Sequence, residues 1–440
     1  MSDIEEIIIE NEVSESSSDD NEISFINTIS ISEKNQLNDT IHELTEEYVK
    51  REIKNHSKPD FYKNLIEEVT TIIFESFLDI LCSDCDYDSI LEFTEMTISD
   101  WFEQNTIYPL RQQSHIDYEY YTDTFGLADD FVKNMVDEKI YKLREINKTI
   151  PEQRSAEWYI VRHNMITASN LYKIFGSNAV QNQLVFEKCK PIVMESGTNY
   201  VNTMLATHWG VKYEPLSLMF YEEQTKTKVE CFGCIPHSKY SFIGASPDGI
   251  ITDDTSPYYG RMLEIKNIVN RNIDGIPSEA YWIQMQIQME VCDLDVCDFL
   301  ETRFKEYEET EFYQDDVNEL KGVILYFIKR EITMSNNPYY IYMPFSVKQD
   351  DIQQWIEKTK NEHTEHILFN TIYWYLDEYS LITVRRNDQW FQECLPQITN
   401  FWDIIQKERI SGYDHRYPKK RVSTEPTTKN IEVIKLDTNT

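Results

Sequence analysis

The chain has 440 residues, 41% of them hydrophobic, and a net charge of −35. That length can bury at least one full core and has room for two or three compact units, which excludes a wholly disordered chain. The charge excludes a uniformly basic nucleic-acid-coating protein, and no apolar run approaches the length of a membrane span. About −23 of the charge falls in residues 1–150, so the acidity is mostly an N-terminal property and any anion-binding surface must rest on local Lys and Arg patches further along. Eight cysteines and no N-terminal apolar h-region lead us to expect an intracellular, soluble chain.

Residues 1–40, rich in Glu, Asp, Ser and Asn around a short Ile7-Ile8-Ile9 island, are expected to be an acidic disordered tail. Residues 41–150 form an acidic helical accessory region. Apolar residues recur there at helical spacing (Tyr48, Leu65, Val69, Ile72, Ile73, Phe77, Ile80, Leu81), and a further amphipathic helix covers 131–146 before Pro151. A domain over 151–335 then opens with a helix at 156–162. In Thr167-Ala168-Ser169 a hydroxyl residue can cap the amphipathic stretch that follows. A longer helix is expected over 204–221. Strands at about 228–235, 240–245, 249–252 and 261–267 form an antiparallel meander, followed by a helix at 279–292 and strands at 296–301 and 322–332. This order predicts an α/β fold with a mixed central sheet flanked by helices. Residues 336–412 read as a helical extension, with helices at 350–369 and 389–408. Residues 413–440 read as a basic and polar tail, led by His415-Arg416-Tyr417-Pro418-Lys419-Lys420-Arg421.

The chemistry lies in a broken run, Ser246-Pro247-Asp248-Gly249 and then Leu263-Glu264-Ile265-Lys266. Side chains two apart on a strand share a face, so Glu264 and Lys266 point the same way while Ile265 turns into the core. Asp248 sits in a Pro-Asp-Gly turn at the end of an apolar strand, which leaves its carboxylate exposed at a sheet edge. Hard divalent cations take such oxygen ligands, and phosphodiester cleavage uses such cations to offset developing charge. The pattern predicts a metal-dependent nuclease. Taken alone, a Glu-x-Lys triplet is weak evidence and reads more readily as the solvated face of a strand.

Its neighbours decide between these readings. They are Glu157-Trp158 with Arg162 and Ile166-Thr167-Ala168-Ser169; His208-Trp209-Gly210 with Tyr213-Glu214-Pro215; and Tyr281-Trp282-Ile283-Gln284-Met285-Gln286-Ile287-Gln288-Met289. In order and spacing the set resembles the YqaJ-like viral recombinase family, which includes phage lambda exonuclease, within the restriction-endonuclease-like PD-(D/E)XK nucleases. The similarity is densest over 157–299 and echoes weakly to about 412. The stretch from Glu264-Ile265-Lys266-Asn267 to Asp274-Gly275-Ile276-Pro277 looks especially like members carried by large DNA viruses.

The resemblance implies a restriction-endonuclease-like core and an Mg2+- or Mn2+-dependent exonuclease that processes double-stranded DNA ends for recombination, replication or repair. It implies Asp248 and Glu264 as metal ligands, the Ile265 carbonyl as a third oxygen donor, and Glu214 as the residue that completes the metal site. Lys266 would hold the attacking water, and Gln284 would hydrogen-bond near it. Because Gln284 and Gln288 are four apart they share a helical face, whereas Gln286 projects elsewhere. Arg162 and Ser169 would grip a terminal 5′-phosphate, although Ser169 reads almost as well as a helix cap. A single-strand-annealing partner and a ring-shaped homotrimer are suggested by the family and not required by the residues; no membrane role is expected. A viral member would work in the host cytoplasm or nucleus. Rival readings are a structure-selective endonuclease of the same fold and a non-catalytic DNA- or protein-binding module.

Three departures stand out: a longer insertion between Asp248 and Glu264, Asn267 where many members have Cys, and a first 150 residues without counterpart. Two Cys-x-x-Cys pairs, Cys82/Cys85 and Cys231/Cys234, invite a thiolate metal site. Their separation, and the apolar, strand-like setting of the second pair, favour buried structural cysteines. His208 and His237 read as structural.

Overall fold

In the computed structural model, residues 30–77, 87–105, 129–192, 206–329 and 338–417 are described. The chain divides into two compact units, residues 1–110 and 111–440. The first contains helices α1 (Ile31–Arg51), α2 (Phe61–Ser76) and α3 (Tyr87–Gln104). Their apolar faces meet through Leu37, Ile41, Leu65, Val69, Ile73, Ile90, Phe93 and Phe102, all buried. Helix α1 begins ten residues before the expected end of the acidic tail. The cause is a capping box: the Ser30 hydroxyl accepts from the Glu33 N–H, and the Glu33 carboxylate accepts from the Ser30 N–H at 2.8 Å. The tail up to residue 29 lies outside the described residues.

The second unit opens with α4 (Asp129–Asn147) and α5 (Ala156–His163), the latter capped by the Ser155 hydroxyl. Strand β1 (Ile166–Thr167), the short helix α6 (Ala168–Leu171), α7 (Asn178–Cys189) and α8 (Ala206–Thr225) follow. Next come β2 (Val229–Glu230), β3 (Ile235–Pro236), β4 (Ile243–Ala245), β5 (Gly249–Ile251) and β6 (Met262–Asn267). The chain continues through α9 (Glu279–Cys292), β7 (Val296–Tyr307), α10 (Glu309–Gln314), β8 (Lys321–Lys329) and β9 (Tyr339–Tyr342). It closes with α11 (Ile352–Glu362), β10 (His366–Arg385) and α12 (Asp388–Ser411).

The main sheet has seven strands in the order β2-β5-β6-β7-β10-β8-β9. Strands β6 and β7 run parallel and every other pair antiparallel, so the sheet is mixed, as expected. The expected meander is corrected: β3 and β4 leave the main sheet and form a separate three-stranded sheet in which β1 lies parallel to β4. The helical extension is corrected too. Residues 366–385 form a 20-residue strand that pairs with both β7 and β8, because the run is dense in aromatic and β-branched residues that fit a pleated surface. No helix among the described residues is long and apolar enough to cross a membrane.

Helix α9 is buried on nearly all sides (Trp282, Ile283, Met285, Ile287, Met289), which marks a helix enclosed within the fold. Ser278 caps its start, and Asp293 in the left-handed region ends it. On α8, buried Ser217 donates to Asn267 Oδ1 at 2.8 Å and lies 2.8 Å from the Thr302 hydroxyl, tying the helix to the C-terminal end of β6. Gly249 is required by close approach, since a Cβ there would lie 2.0 Å from Val229 Cγ1 on β2.

Candidate active site

Asp248 precedes β5, and Glu264, Ile265 and Lys266 lie on β6, so register between the two strands sets their approach. Gly249 pairs with Leu263, which brings Asp248 alongside the next residues of β6. Asp248 Oδ2 accepts the Ile265 N–H at 2.7 Å. In a strand the N–H and C=O of one residue face the same edge, so the Ile265 carbonyl turns to the Asp248 side. The Asp248 carboxyl is thus not exposed at a sheet edge, against expectation: burial, followed by the nearby Glu264 carboxylate, holds it well above the ordinary range.

Glu264 is 1% exposed, so an unpartnered charge there would be very costly. Three donors meet it: the Lys266 ammonium and Gln284 Nε2 (2.6 Å) on Oε1, and Gln288 Nε2 (2.7 Å) on Oε2. Burial opposes a charge on Lys266, but the Glu264 and Asp248 carboxylates outweigh it and raise the ammonium above its usual range. Its Nζ also lies 5.0 Å from the centre of the Tyr281 ring, which sits 5.6 Å from the Arg271 guanidinium on its other contact. Arg271 in turn pairs with Glu301, a fully buried residue opposite Lys266 in the β6–β7 register.

Glu214 is placed by α8, one helical turn before Ser217. Its side chain reaches solvent and makes no hydrogen bond or ion pair among the described residues. Partial desolvation and the Glu264 charge raise its carboxyl above the usual value. Lys266 and Arg154 offset this only in part.

Arg162 joins the same region from α5. Its Nη1 lies 3.4 Å from the Ser246 hydroxyl and 3.8 Å from Cys234 Sγ, and its guanidinium stacks 4.5 Å over Trp158. The Ser246 carbonyl accepts from Gln288 Nε2 at 3.2 Å, so Arg162, Ser246, Gln288 and Glu264 form a connected chain. Ser169 is exposed; its hydroxyl lies 3.4 Å from that of Thr167. The N-cap position of α6 belongs to Thr167, which makes no side-chain cap bond, so Ser169 is not the cap. Because Thr167 pairs with Gly244, Ser169 and Ser246 leave the same end of two parallel strands.

Gln286 faces away, as its offset predicts: it donates to the Arg385 carbonyl at 2.8 Å and accepts the Asn387 N–H at 2.7 Å. His237 is structural, its Nδ1 accepting two backbone N–H groups and its Nε2 lying 3.2 Å from Glu290. His208 meets the Tyr340 hydroxyl at 2.7 Å. Cys234 is buried, but Cys231 is exposed, against expectation. Cys82 and Cys85 lie outside the described residues. Of the basic tail, Arg416 and His415 are engaged by Glu408, and residues 418–440 lie outside the described residues. Sequence reasoning assigned no role to Ser246 or Gln288. The signals were there: Ser246 is two residues from Asp248, and Gln288 is one helical turn from Gln284.

The donor set is oxygen only and gathers three carboxylates around one ammonium, with a backbone carbonyl turned to the same side. Glu264 already takes three donors, but a carboxylate has about four lone-pair positions, and Asp248 Oδ1 and the whole of Glu214 are free among the described residues. Such a cluster fits a hard divalent cation.

Residues 157–295 match the YqaJ-like viral recombinase domain. The chain is 28% identical, over 354 residues, to an uncharacterized protein of Acanthamoeba polyphaga mimivirus, covering 70% of this chain and 63% of that one. It therefore spans less than two thirds of the length of the curated relative it matches. Among solved structures it is similar to the alkaline exonuclease LHK-Exo of Laribacter hongkongensis (18% identity, TM-score 0.34, 58% of this chain and 94% of that one). It is also similar to a phage-related exonuclease of Haemophilus somnus (12%, 0.31, 56% and 96%) and to the SOX protein of KSHV in an RNA complex (9%, 0.32, 81% and 89%). Residues 157–295 are thus similar to the YqaJ-like viral recombinase domain, the family that the motifs resemble.

Proposed function

We propose that this domain is a divalent-metal-dependent deoxyribonuclease that degrades duplex DNA from its ends. The observation that carries the reading is the convergence of Asp248, Glu264 and Glu214 beside Lys266, a carboxylate cluster with more negative charge than its ammonium offsets. An Mg2+ or Mn2+ ion held by Asp248, Glu264, Glu214 and the Ile265 carbonyl would supply positive charge against the charge developing on the phosphoryl oxygens.

The chain's own residues do the rest. Lys266 stays protonated, so it acts as a hydrogen-bond donor and point charge, not as a base that takes the water's proton. Leaving Glu264 for the scissile phosphate, it would orient the attacking water and stabilise the phosphorane-like state. Gln284 and Gln288 clamp both oxygens of Glu264, which makes them positioning residues. Water would add to phosphorus in line, losing its proton to solvent, as the P–O3′ bond breaks and the leaving 3′-oxygen takes a proton from solvent. Arg162, with Ser246 beside it and Ser169 at the same end of the β1–β4 pair as Ser246, would bind a terminal 5′-phosphate through a planar guanidinium fork. The resulting single strands would serve recombination or replication-linked repair, with an annealing protein as partner.

The test is incubation of wild-type and Lys266→Ala protein with 5′-phosphorylated linear duplex and a matched closed circle, with and without magnesium or manganese. Metal-dependent loss of linear DNA alone, absent in the variant, supports the exonuclease. Cutting of both substrates turns the reading to an endonuclease, and cutting of neither to a binding module.

A further inference from the structure

The connection between α11 and β10 carries a second group of metal-ligating side chains that the nuclease reading does not use. It is the short run His363-Thr364-Glu365-His366. One ligand atom from each of His363, Glu365 and His366 lies within 4.8 Å of the others. The Glu365 carboxylate oxygen is 2.9 Å from His366 Nδ1 and 3.5 Å from His363 Nδ1.

Backbone structure fixes both ends of the run. The His363 N–H bonds to Thr359 O at the end of α11, His366 N–H bonds to His363 O, and His366 opens β10 opposite Lys329 of β8. The imidazoles are also held by aromatic walls. The His366 ring stacks on Tyr339 at 4.9 Å, and the His363 ring lies 5.8 Å from both Phe327 and Tyr339. Only Glu365 is well exposed, so the group is enclosed on one side and open to water on the other.

We propose that His363, Glu365 and His366 form a separate site for a zinc(II)-class ion, with three protein ligands and a fourth position open to water or an exogenous ligand. Two imidazoles and one carboxylate are a ligand set zinc accepts, whereas magnesium takes oxygen donors. In a tetrahedral zinc site, bonds of about 2.0–2.1 Å put ligand atoms about 3.3 Å apart. The two separations from Glu365 bracket that value, and the ligand atoms of the two imidazoles lie within 4.8 Å of each other, so the site closes as the imidazoles rotate together. The site is distinct from the nuclease centre. From His366 to Ser380, which pairs with Glu301 opposite Lys266, β10 runs roughly 45 Å of contour at about 3.3 Å per residue. A bound ion would lock the end of α11 to the first residue of β10, stabilising the outer half of the main sheet.

The test uses the full chain, stripped with chelator and reloaded with cobalt(II), followed by visible absorption. The expected result is a four-coordinate d–d band that zinc displaces. It is retained in Asp248→Asn and lost in His363→Gln and in His366→Gln, with magnesium-dependent DNA cleavage of both His variants unchanged. Far-UV circular dichroism checks that these variants fold; should they not, Glu365→Gln takes their place in the comparison. The proposal is overturned by absence of the band in wild type, by its survival in the ligand variants, or by its loss in Asp248→Asn. A dominant sulfur-to-cobalt charge-transfer band would also overturn it, since that would assign the metal to cysteines.

Discussion

Asp248 and Ile265 are joined by a hydrogen bond from the Ile265 N–H to Asp248 Oδ2, 2.7 Å long, between a turn and a neighbouring strand. This bond presets the distance between the Asp248 and Glu264 carboxylates without occupying Asp248 Oδ1. Asp248→Asn keeps the shape and can keep an oxygen on the Ile265 N–H, but it removes the charge. Cleavage is expected to be lost while thermal stability without metal stays equal or rises, because the substitution relieves repulsion with Glu264 and Glu214. Paired activity and melting measurements check both halves.

Lys266→Ala removes the ammonium and leaves buried Glu264 with two amide donors. A loss of activity on the order of 10²–10³-fold is expected, the size seen when one donor to a developing oxyanion is deleted. Binding of a short duplex, measured by fluorescence anisotropy in calcium, should change little.

The three glutamines of α9 separate by face. Gln284→Ala should lower cleavage about tenfold at little cost in stability, since it loosens Glu264. Gln286→Leu strands the buried Asn387 N–H and Arg385 carbonyl, so it should cost about 1–3 kcal/mol in urea unfolding with cleavage per folded molecule unchanged. A reversed pattern would contradict the assignment of faces.

Arg162→Ala tests end recognition. Wild type should prefer 5′-phosphorylated to 5′-hydroxyl duplex, and the variant should lose about 1.5–3 kcal/mol of that preference, roughly 10–100-fold, because a charged hydrogen bond to phosphate is removed. Equal slowing on both ends would place Arg162 in general DNA binding instead.

Lys188 offers a pH test away from the carboxylates. It is buried beneath Arg162, its Nζ donating to the Arg162 carbonyl at 2.7 Å, and burial, followed by the Arg162 and Arg409 charges, lowers its pKa to about 8. Between pH 8 and its ordinary value of 10.5 the unfolded chain binds the extra proton, so Lys188 adds stability as pH rises through that window and loses it as pH falls towards 8. The stability of wild type relative to Lys188→Met should therefore increase from pH 7.5 to pH 9.5. Urea unfolding at those two values of pH checks the sign.

What was legible in the sequence was what local chemistry decides. Helix α9 has its expected limits because Ser278 caps it and Asp293 ends it. Glu264 and Lys266 share a strand face because the side-chain period of a strand is two. Strand β10 was misread over its first residues because the apolar spacing of Ile352 and Ile356 runs on into 366–369. Register shifts at Leu368/Asn370 and Leu376/Glu378 also break its alternation. Ser246 and Gln288 escaped assignment for another reason. Their link exists only once α9 packs beside the turn after β4, a contact across 42 positions that no local period reports.

Strand β10 is a full member of two ladders: residues 366–375 pair with β8, and residues 373–385 with β7. Tyr373, Trp374 and Tyr375 are paired on both sides at once. Each residue's N–H faces one edge only, but opening either neighbour leaves the three-residue segment held in place by the other, so an opened ladder has its template still standing to reclose on. They should be the slowest to exchange with deuterium, reporting the stability of the whole unit where the site strands report only their own.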